Sequence, residues 1–432
     1  MRVRAGRQAW LMWGTAVVVY MAAVFHRGSL GVASLEATRR FGVGPAALGT
    51  FTVLQLLVYS AMQVPTGLLV DRFGPRKILT AAAFTMGVGQ VLFAIASSYP
   101  LGLLARAVLG FGDAMTFISL LRLASAYFSA RRYSLVVSLT AALGGLGNLV
   151  ATVPLTLLLH EAGWTATFLV TGLATAAYTL LTLRLRDTPA GPAPRSAPVR
   201  LTDVARNVRA TLRIPASRLG FWVHFATMAA PTVLSLLWGF PYLVQAQGLS
   251  AETASSVLGV MVIVMIVSGP LIGGVIGARP AIRMILVAAF LMFAVGLWAL
   301  LLLWPGRMPT ALLTVVFGLM SLGLPLSAIG FSIARDFNPL HRVGTASGVV
   351  NVGGFFATTV AALGIGLALG WGASFRLALV VPAALMALGI WRTAVWWRRA
   401  RAEVFAAEAR GETVPVRIRA HRWDAKVKME AA

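Results

Sequence analysis

Gly67-Leu68-Leu69-Val70-Asp71-Arg72-Phe73-Gly74-Pro75-Arg76-Lys77 is a polar, turn-forming stretch between two long apolar runs, and part of it occurs twice. Gly67, Arg72 and Arg76 recur as Gly274, Arg279 and Arg283, each 207 residues later. The same offset carries Gly163, Trp164, Ala166 and Phe168 onto Gly370, Trp371, Ala373 and Phe375. Gly144-Gly145 has a near counterpart in Gly353-Gly354, 209 residues on. Self-similarity at a fixed offset marks a duplicated structural unit, so the chain is read as two copies of one half.

Each half is dominated by runs that suit lipid. The 432 residues are 58% hydrophobic and 12% charged. A helix that crosses the hydrocarbon core needs about 20 predominantly apolar residues. Twelve such stretches occur, at 9–36, 46–70, 78–98, 101–128, 133–159, 163–184, 218–247, 251–277, 282–304, 309–335, 343–370 and 373–398. The expected fold is all-α and integral to the membrane, twelve transmembrane helices arranged as two six-helix repeats. Six is even, so both repeats enter from the same side and are parallel. The divisions expected are 1–187 for the first half, 188–217 for a cytoplasmic linker, 218–400 for the second half and 401–432 for a basic tail. The linker begins Asp187-Thr188-Pro189-Ala190-Gly191-Pro192, an extended composition. It then places Leu201, Val204, Val208 and Leu212 on one helical face with Arg206, Arg209 and Arg213 elsewhere, the pattern of an interfacial or solvated amphipathic helix. From Arg398 onward the composition turns basic and polar, as in a mobile tail.

A net charge of +24 would suit a nucleic-acid binder, but its distribution excludes that class. Thirty of the 37 Lys and Arg fall in the even-numbered loops and the two ends, whereas the odd-numbered loops hold only Arg39, Arg40 and Arg307. This asymmetry is the positive-inside signature. It places both termini and the linker in the cytoplasm and the chain in the inner membrane, with the cations against an anionic leaflet. The first apolar run is too long for a cleavable signal peptide and lacks a small-residue cleavage site before the next polar segment, so none is expected. With no Cys, disulfides and Cys-ligated metals are excluded. No phosphate-binding loop and no paired carboxylate or metal-ligand cluster points to an enzyme, and neither a cofactor nor a metal is expected.

The 67–77 stretch resembles the signature of the major facilitator superfamily between its second and third helices. That resemblance implies the parallel two-half fold, movement of a small molecule by alternating access around a site near the bilayer midplane, and a conformational latch. The latch residues would be Gly67, Asp71, Arg72, Gly74 and Arg76, with Arg279 and Arg283 in the second copy. Gly67 lets a neighbouring helix approach, and Asp71 caps or pairs. Ala278 stands where a second Asp would fall, which weakens a charge-dependent latch there.

Helix 4 opens Arg106-Ala107-Val108-Leu109-Gly110-Phe111-Gly112-Asp113, which resembles a second family motif, an Arg followed by a Gly-rich helix face. Of the 13 acidic residues, Asp113 alone lies deep inside an expected span. Charges at that depth face the interior and are functional candidates, here for proton coupling by Asp113 and Arg106. Seven residues apart, the two share a helical face about 10 Å apart along the axis. The alternative is a structural ion pair of Asp113 with Arg106 or Arg27. In helix 1, Phe25-His26-Arg27-Gly28 follows too short an apolar run to span, which puts Arg27 within the membrane on one stripe with Tyr20 and Ser34. A guanidinium facing a cavity is a bidentate site for carboxylate or phosphate; facing outward it would snorkel to the interface. The pair resembles the Asp-Arg of anion:cation symporters and organophosphate permeases, whose helix 4 carries an acidic residue where Asp113 stands. Here His26 replaces that Asp.

Polar stripes on otherwise apolar helices add further candidates: Gln55 with Tyr59, Asn148 with Thr152, His224 with Thr227, Trp238 and Asn351. Pro231 and Pro241 are expected to bend the seventh helix. Arg122, nine residues beyond Asp113, is read as structural. The stretch 142–148 lacks the Gly-Pro ending of the drug-antiporter signature. The function expected is therefore secondary transport of a small organic anion by a monomer, Tyr20, His26, Arg27, Gln55, Tyr59, Asn148, His224, Trp238 and Asn351 binding the substrate and protons coupling through Asp113. Drug or metabolite efflux by proton antiport is the first alternative, and a non-transporting membrane sensor the second.

Overall fold

The computed structural model describes residues 6–189, 201–416 and 418, and it is helical throughout. The expected Gly-Pro stretch of the linker and most of the expected tail lie outside the described residues. Among the described residues, twelve helices are long and apolar enough to cross a membrane: Arg7–Val32, Thr50–Phe73, Pro75–Ile95, Tyr99–Tyr127, Ala130–Ala151, Leu157–Thr182, Pro215–Ala246, Ala251–Ala278, Pro280–Leu303, Thr310–Phe337, Leu340–Gly370 and Phe375–Ala409. They are called spans 1 to 12 below. Their number and order are those read from the sequence.

The chain groups into two compact units. One gathers Met1–Ser129, Thr140–Asn207 and Leu340–Gly348. Its core is aromatic: Phe41, Phe51, Phe93, Trp164 and Phe168 pack together, with Trp164 and Phe168 ring centroids 4.5 Å apart. Arg40 ties into this cluster by donating to the carbonyls of Ala96 (2.7 Å) and Ala94 (3.1 Å), and its guanidinium lies over Trp164. The other unit gathers Ala130–Leu139, Val208–Pro339 and Val349–Ala432, around a core that includes Leu219, Val223, Tyr242, Phe290, Trp298 and Phe317. The division is therefore not made at the linker alone. Nine residues at the start of span 11 belong with the first unit, and ten at the start of span 5 with the second.

Local chemistry explains the helix ends and bends. Span 3 starts after Gly74, whose φ of 82° suits glycine and few other residues. The Asp187 carboxylate accepts from the Arg76 N–H at 2.8 Å and closes this helix N-terminus. In span 7 the missing N–H of Pro231 is followed by wide i→i+5 turns at Leu234–Trp238 and, after Pro241, at Tyr242–Ala246. Leu201–Arg213 is a helix, as its periodicity predicts.

The C-terminal end departs from expectation. The last helix runs unbroken to Ala409, so residues 401–409 are helix and not mobile tail. The reason is packing that a charge count misses. Arg401, Val404 and Phe405 are all buried, and Arg401 lies over the Phe405 ring at 5.3 Å. Beyond it Arg410 forks onto Glu412 at 2.7 and 3.2 Å, and that hydrogen bond holds the Glu412 carboxyl below its ordinary range.

Candidate transport site

Span 4 presents Gly110, Gly112 and Asp113 from a helix buried along most of its length. The glycines set its distance from neighbours: a Cβ on Gly110 would lie 2.7 Å from the Gln55 carbonyl oxygen, and one on Gly112 2.9 Å from the Met86 backbone nitrogen. Close approach of spans 2 and 3 on either side keeps Asp113 at 1% exposure. Its carboxylate is met by Arg27 of span 1 in a fork, Nε to Oδ2 at 3.0 Å and Nη2 to Oδ1 at 2.7 Å. The two side chains differ in access, the Arg27 side chain being 18% exposed and that of Asp113 2%. The Arg27 guanidinium also sits 4.8 Å from the centre of the Tyr59 ring. Tyr20, about two turns before Arg27, stacks at a tilt on Phe117, and a Cβ on Gly144 would meet its ring 2.5 Å away.

Arg106 does not pair with Asp113. It is fully buried, and its Nη1 donates to the His26 carbonyl at 3.1 Å. The axial separation that left both on one face is too long for a direct bond. Among the described residues its Nε and Nη2 find no acceptor, nor do the side-chain amides of Gln55 and Gln90 or His26 Nδ1 find a hydrogen-bond partner. His26 is 1% exposed, its Nε2 lying 2.8 Å from the Thr175 hydroxyl. Asn148 is exposed and stands against Gly28, the residue after Arg27. The Thr152 side chain lies outside the described residues. All of these belong to the first unit.

His224, Trp238 and Asn351 belong to the second unit. His224 Nδ1 lies 3.3 Å from the Ser327 carbonyl, and Asn351 is buried. The Thr227 hydroxyl returns to the Val223 carbonyl, and the Trp238 N–H donates to the Ala362 carbonyl at 3.0 Å.

The 67–77 stretch forms a second cluster in the first unit. Asp71 accepts from the Gly344 N–H (2.9 Å), the Thr345 N–H (2.7 Å) and the Thr345 hydroxyl (2.8 Å). It thereby caps the start of the helix Val343–Gly370. The Arg122 Nε lies 3.4 Å from the same carboxylate. A Cβ on Gly67 would sit 2.5 Å from the Gly344 carbonyl oxygen and 2.9 Å from the Thr345 Cα, so only glycine permits this approach. Arg72 lies over Phe73, and Arg76 is exposed. Around the second copy Arg279 is exposed, while Arg283 is buried and donates to Asp336 at 2.6 Å; Arg335 adds a second contact to Asp336 at 3.1 Å. Sequence reasoning singled out neither Gly344, Thr345, Asp187 nor Asp336. A Gly-Thr pair at a helix start and an acid flanked by Arg were the available signals.

Comparison with known proteins agrees with this architecture. A sequence model of the Major Facilitator Superfamily matches residues 16–362. The probable galactarate/D-glucarate transporter GarP of Escherichia coli K12 is 24% identical over 396 residues, covering 84% of this chain and 89% of that protein. The probable sulfoacetate transporter SauU of Cupriavidus necator is 26% identical over 171 residues, 40% of each chain. Among solved structures, the transporter FucP in its outward conformation superposes with a TM-score of 0.70 at 16% identity, over 90% of this chain and 99% of that one.

Proposed function

Because the chain belongs to the major facilitator superfamily, we propose that it carries a small organic anion across the inner membrane by alternating access, coupled to protons, with Arg27 as the anion-binding group and Asp113 as the proton-bearing group. The observation that carries this reading is the buried fork between Arg27 and Asp113, in which the cation is the more accessible partner. A guanidinium already aligned on one carboxylate is organised to accept another. If a substrate carboxylate takes the fork, the Asp113 charge is left buried without its partner, which is costly. A proton on Asp113 removes that cost. Anion and proton therefore favour each other's binding.

Arg27, Arg106 and Asp113 together leave an excess of one positive charge in the buried part of the first unit, which favours anions over cations. Tyr20, Tyr59, Gln55 and Asn148 supply the surrounding polar and aromatic surface, and His224, Trp238 and Asn351 are further candidates in the second unit. GarP and SauU, named for a sugar diacid and a sulfonated acid, make hydroxy-diacids and small sulfonates the first classes to test. The Asp71 cluster serves as the conformational latch. The charge asymmetry between even and odd loops supports cytoplasmic termini, with the basic loops against the anionic leaflet, and one chain supplies both units, so a monomer suffices.

The test is thermal stabilisation of the purified protein by galactarate, D-glucarate and sulfoacetate, with the uncharged polyol galactitol as control. A ligand of the folded state raises the midpoint with concentration. The acids are expected to stabilise wild type, and not Arg27→Gln. Equal stabilisation by galactitol would contradict the anion assignment. Stabilisation by hydrophobic cations that requires Asp113 would replace it with efflux.

A further inference from the structure

A cavity of about 320 Å³ lies in the second unit, lined, apart from Arg283, by residues outside both the Arg27–Asp113 site and the latch. Its walls are apolar side chains, among them Leu219, Met284, Ile333, Phe337, Trp397 and Val404. Two arginines break this surface, Arg283 and Arg401, each no more than 5% exposed. Arg283 gives Nη1 to Asp336 and Nε to the Ile276 carbonyl, which leaves its buried Nη2 without an acceptor among the described residues. Arg401 lies over the Trp397 and Phe405 rings at 6.0 and 5.3 Å. Beyond the end of the last helix, Val416 and Ile418 complete the lining.

Apolar side chains that face such a cavity lack packing partners on one side and leave apolar surface uncovered. A buried guanidinium N–H without an acceptor is a second cost at the same place. One class of molecule removes both: an apolar chain carrying an anionic head. The volume is at the low end for small-molecule sites, about 300 to 1,000 Å³, which suits one chain better than two. Arginines stacked on tryptophans continue from the cavity along the same helices. Arg218 and Arg399 lie over Trp396 at 4.5 and 4.7 Å, and Arg392 over Trp222 at 5.2 Å. That pairing of Trp with cations is the composition of a membrane interface, where such amphiphiles partition.

We propose that this cavity binds a single-chain anionic amphiphile of the fatty-acid class, its carboxylate on Arg283 and Arg401 and its chain between Leu219, Met284, Phe337 and Trp397. Val416 and Ile418 would lie against the bound amphiphile as part of the lining.

The test uses the full chain in a neutral detergent and 11-bromoundecanoate, whose bromine quenches tryptophan on contact. Saturable quenching is expected in wild type, lost in Trp397→Phe. Binding should weaken about tenfold in Arg401→Gln and disappear in Ala400→Phe, which fills the space. The brominated alcohol of the same length, tried on wild type alone, should bind at least tenfold more weakly. Equal quenching by acid and alcohol, or quenching that survives in Trp397→Phe, would overturn the proposal as micelle partitioning. Tighter saturable quenching by a brominated phosphatidylglycerol would overturn the single-chain assignment.

Discussion

Both oxygens of Asp113 are engaged by one guanidinium, and the planar shape of that group makes the engagement possible. An ammonium at the same place would keep the charge and lose the second bond. Hydrogen bonds to charged groups contribute about 1.5 to 3 kcal/mol each, and a tenfold change in affinity is about 1.4 kcal/mol. Arg27→Lys is therefore expected to weaken anion binding roughly tenfold to a hundredfold, with folding intact, as read by calorimetric titration of a stabilising acid. Unchanged affinity in Arg27→Lys would move the anion away from this fork. Asp113 was legible in the sequence because an acid in the middle of an apolar span has few neutral explanations. Its partner was less so. Helical periodicity puts Arg106 on the same face but cannot shorten an axial offset of about 10 Å, whereas Arg27 arrives from another span, at a sequence distance of 86 that no local pattern encodes. His26 reads from sequence as a ligand, yet its ring lies against Thr175, 149 residues away.

Capping of the helix Val343–Gly370 by Asp71 is an element-scale device: one carboxylate satisfies two of the N–H groups that every helix start leaves open. Asn at this place keeps one acceptor and turns an NH₂ toward the other donors, losing a capping interaction of about 1 kcal/mol and the charge at the positive helix end. Asp71→Asn is expected to lower turnover about fivefold to thirtyfold while leaving KM nearly unchanged, since Gly344, Thr345 and Arg122, which Asp71 engages, are not among the residues around Arg27. Uptake kinetics in proteoliposomes decide it: normal turnover, or equal loss of binding, would argue against a latch. The repeated stretch announced this element but not its partners. Gly67 has a backbone pressed against it, whereas its copy Gly274 has nothing within 4 Å of where a Cβ would be. Trp164 is core, and its copy Trp371 is 83% exposed. Duplication preserved the residues and divergence changed their surroundings, so the repeat identifies the elements and long-range packing decides their use.

At the scale of the molecule, twelve spans and their order follow from run length alone, because hydrocarbon thickness fixes how many apolar residues a helix needs. What run length does not encode is where a unit ends. The starts of spans 5 and 11 each group with the unit opposite to their half of the sequence, and the last helix continues past its basic residues because Arg401 and Phe405 pack together. Transport is a property of this whole assembly, and the role proposed for Asp113 is to couple a proton to the movement of an anion. Asn at 113 mimics the protonated, uncharged side chain permanently. Wild type and Asp113→Asn in proteoliposomes, given the same identified acid, separate coupling from movement. Wild type is expected to accumulate the acid against its gradient when the outside is acidified, and Asp113→Asn to exchange it between the two sides with no pH-driven accumulation. An Asp113→Asn protein that still concentrates the acid under a pH gradient would rule out Asp113 as the coupling group.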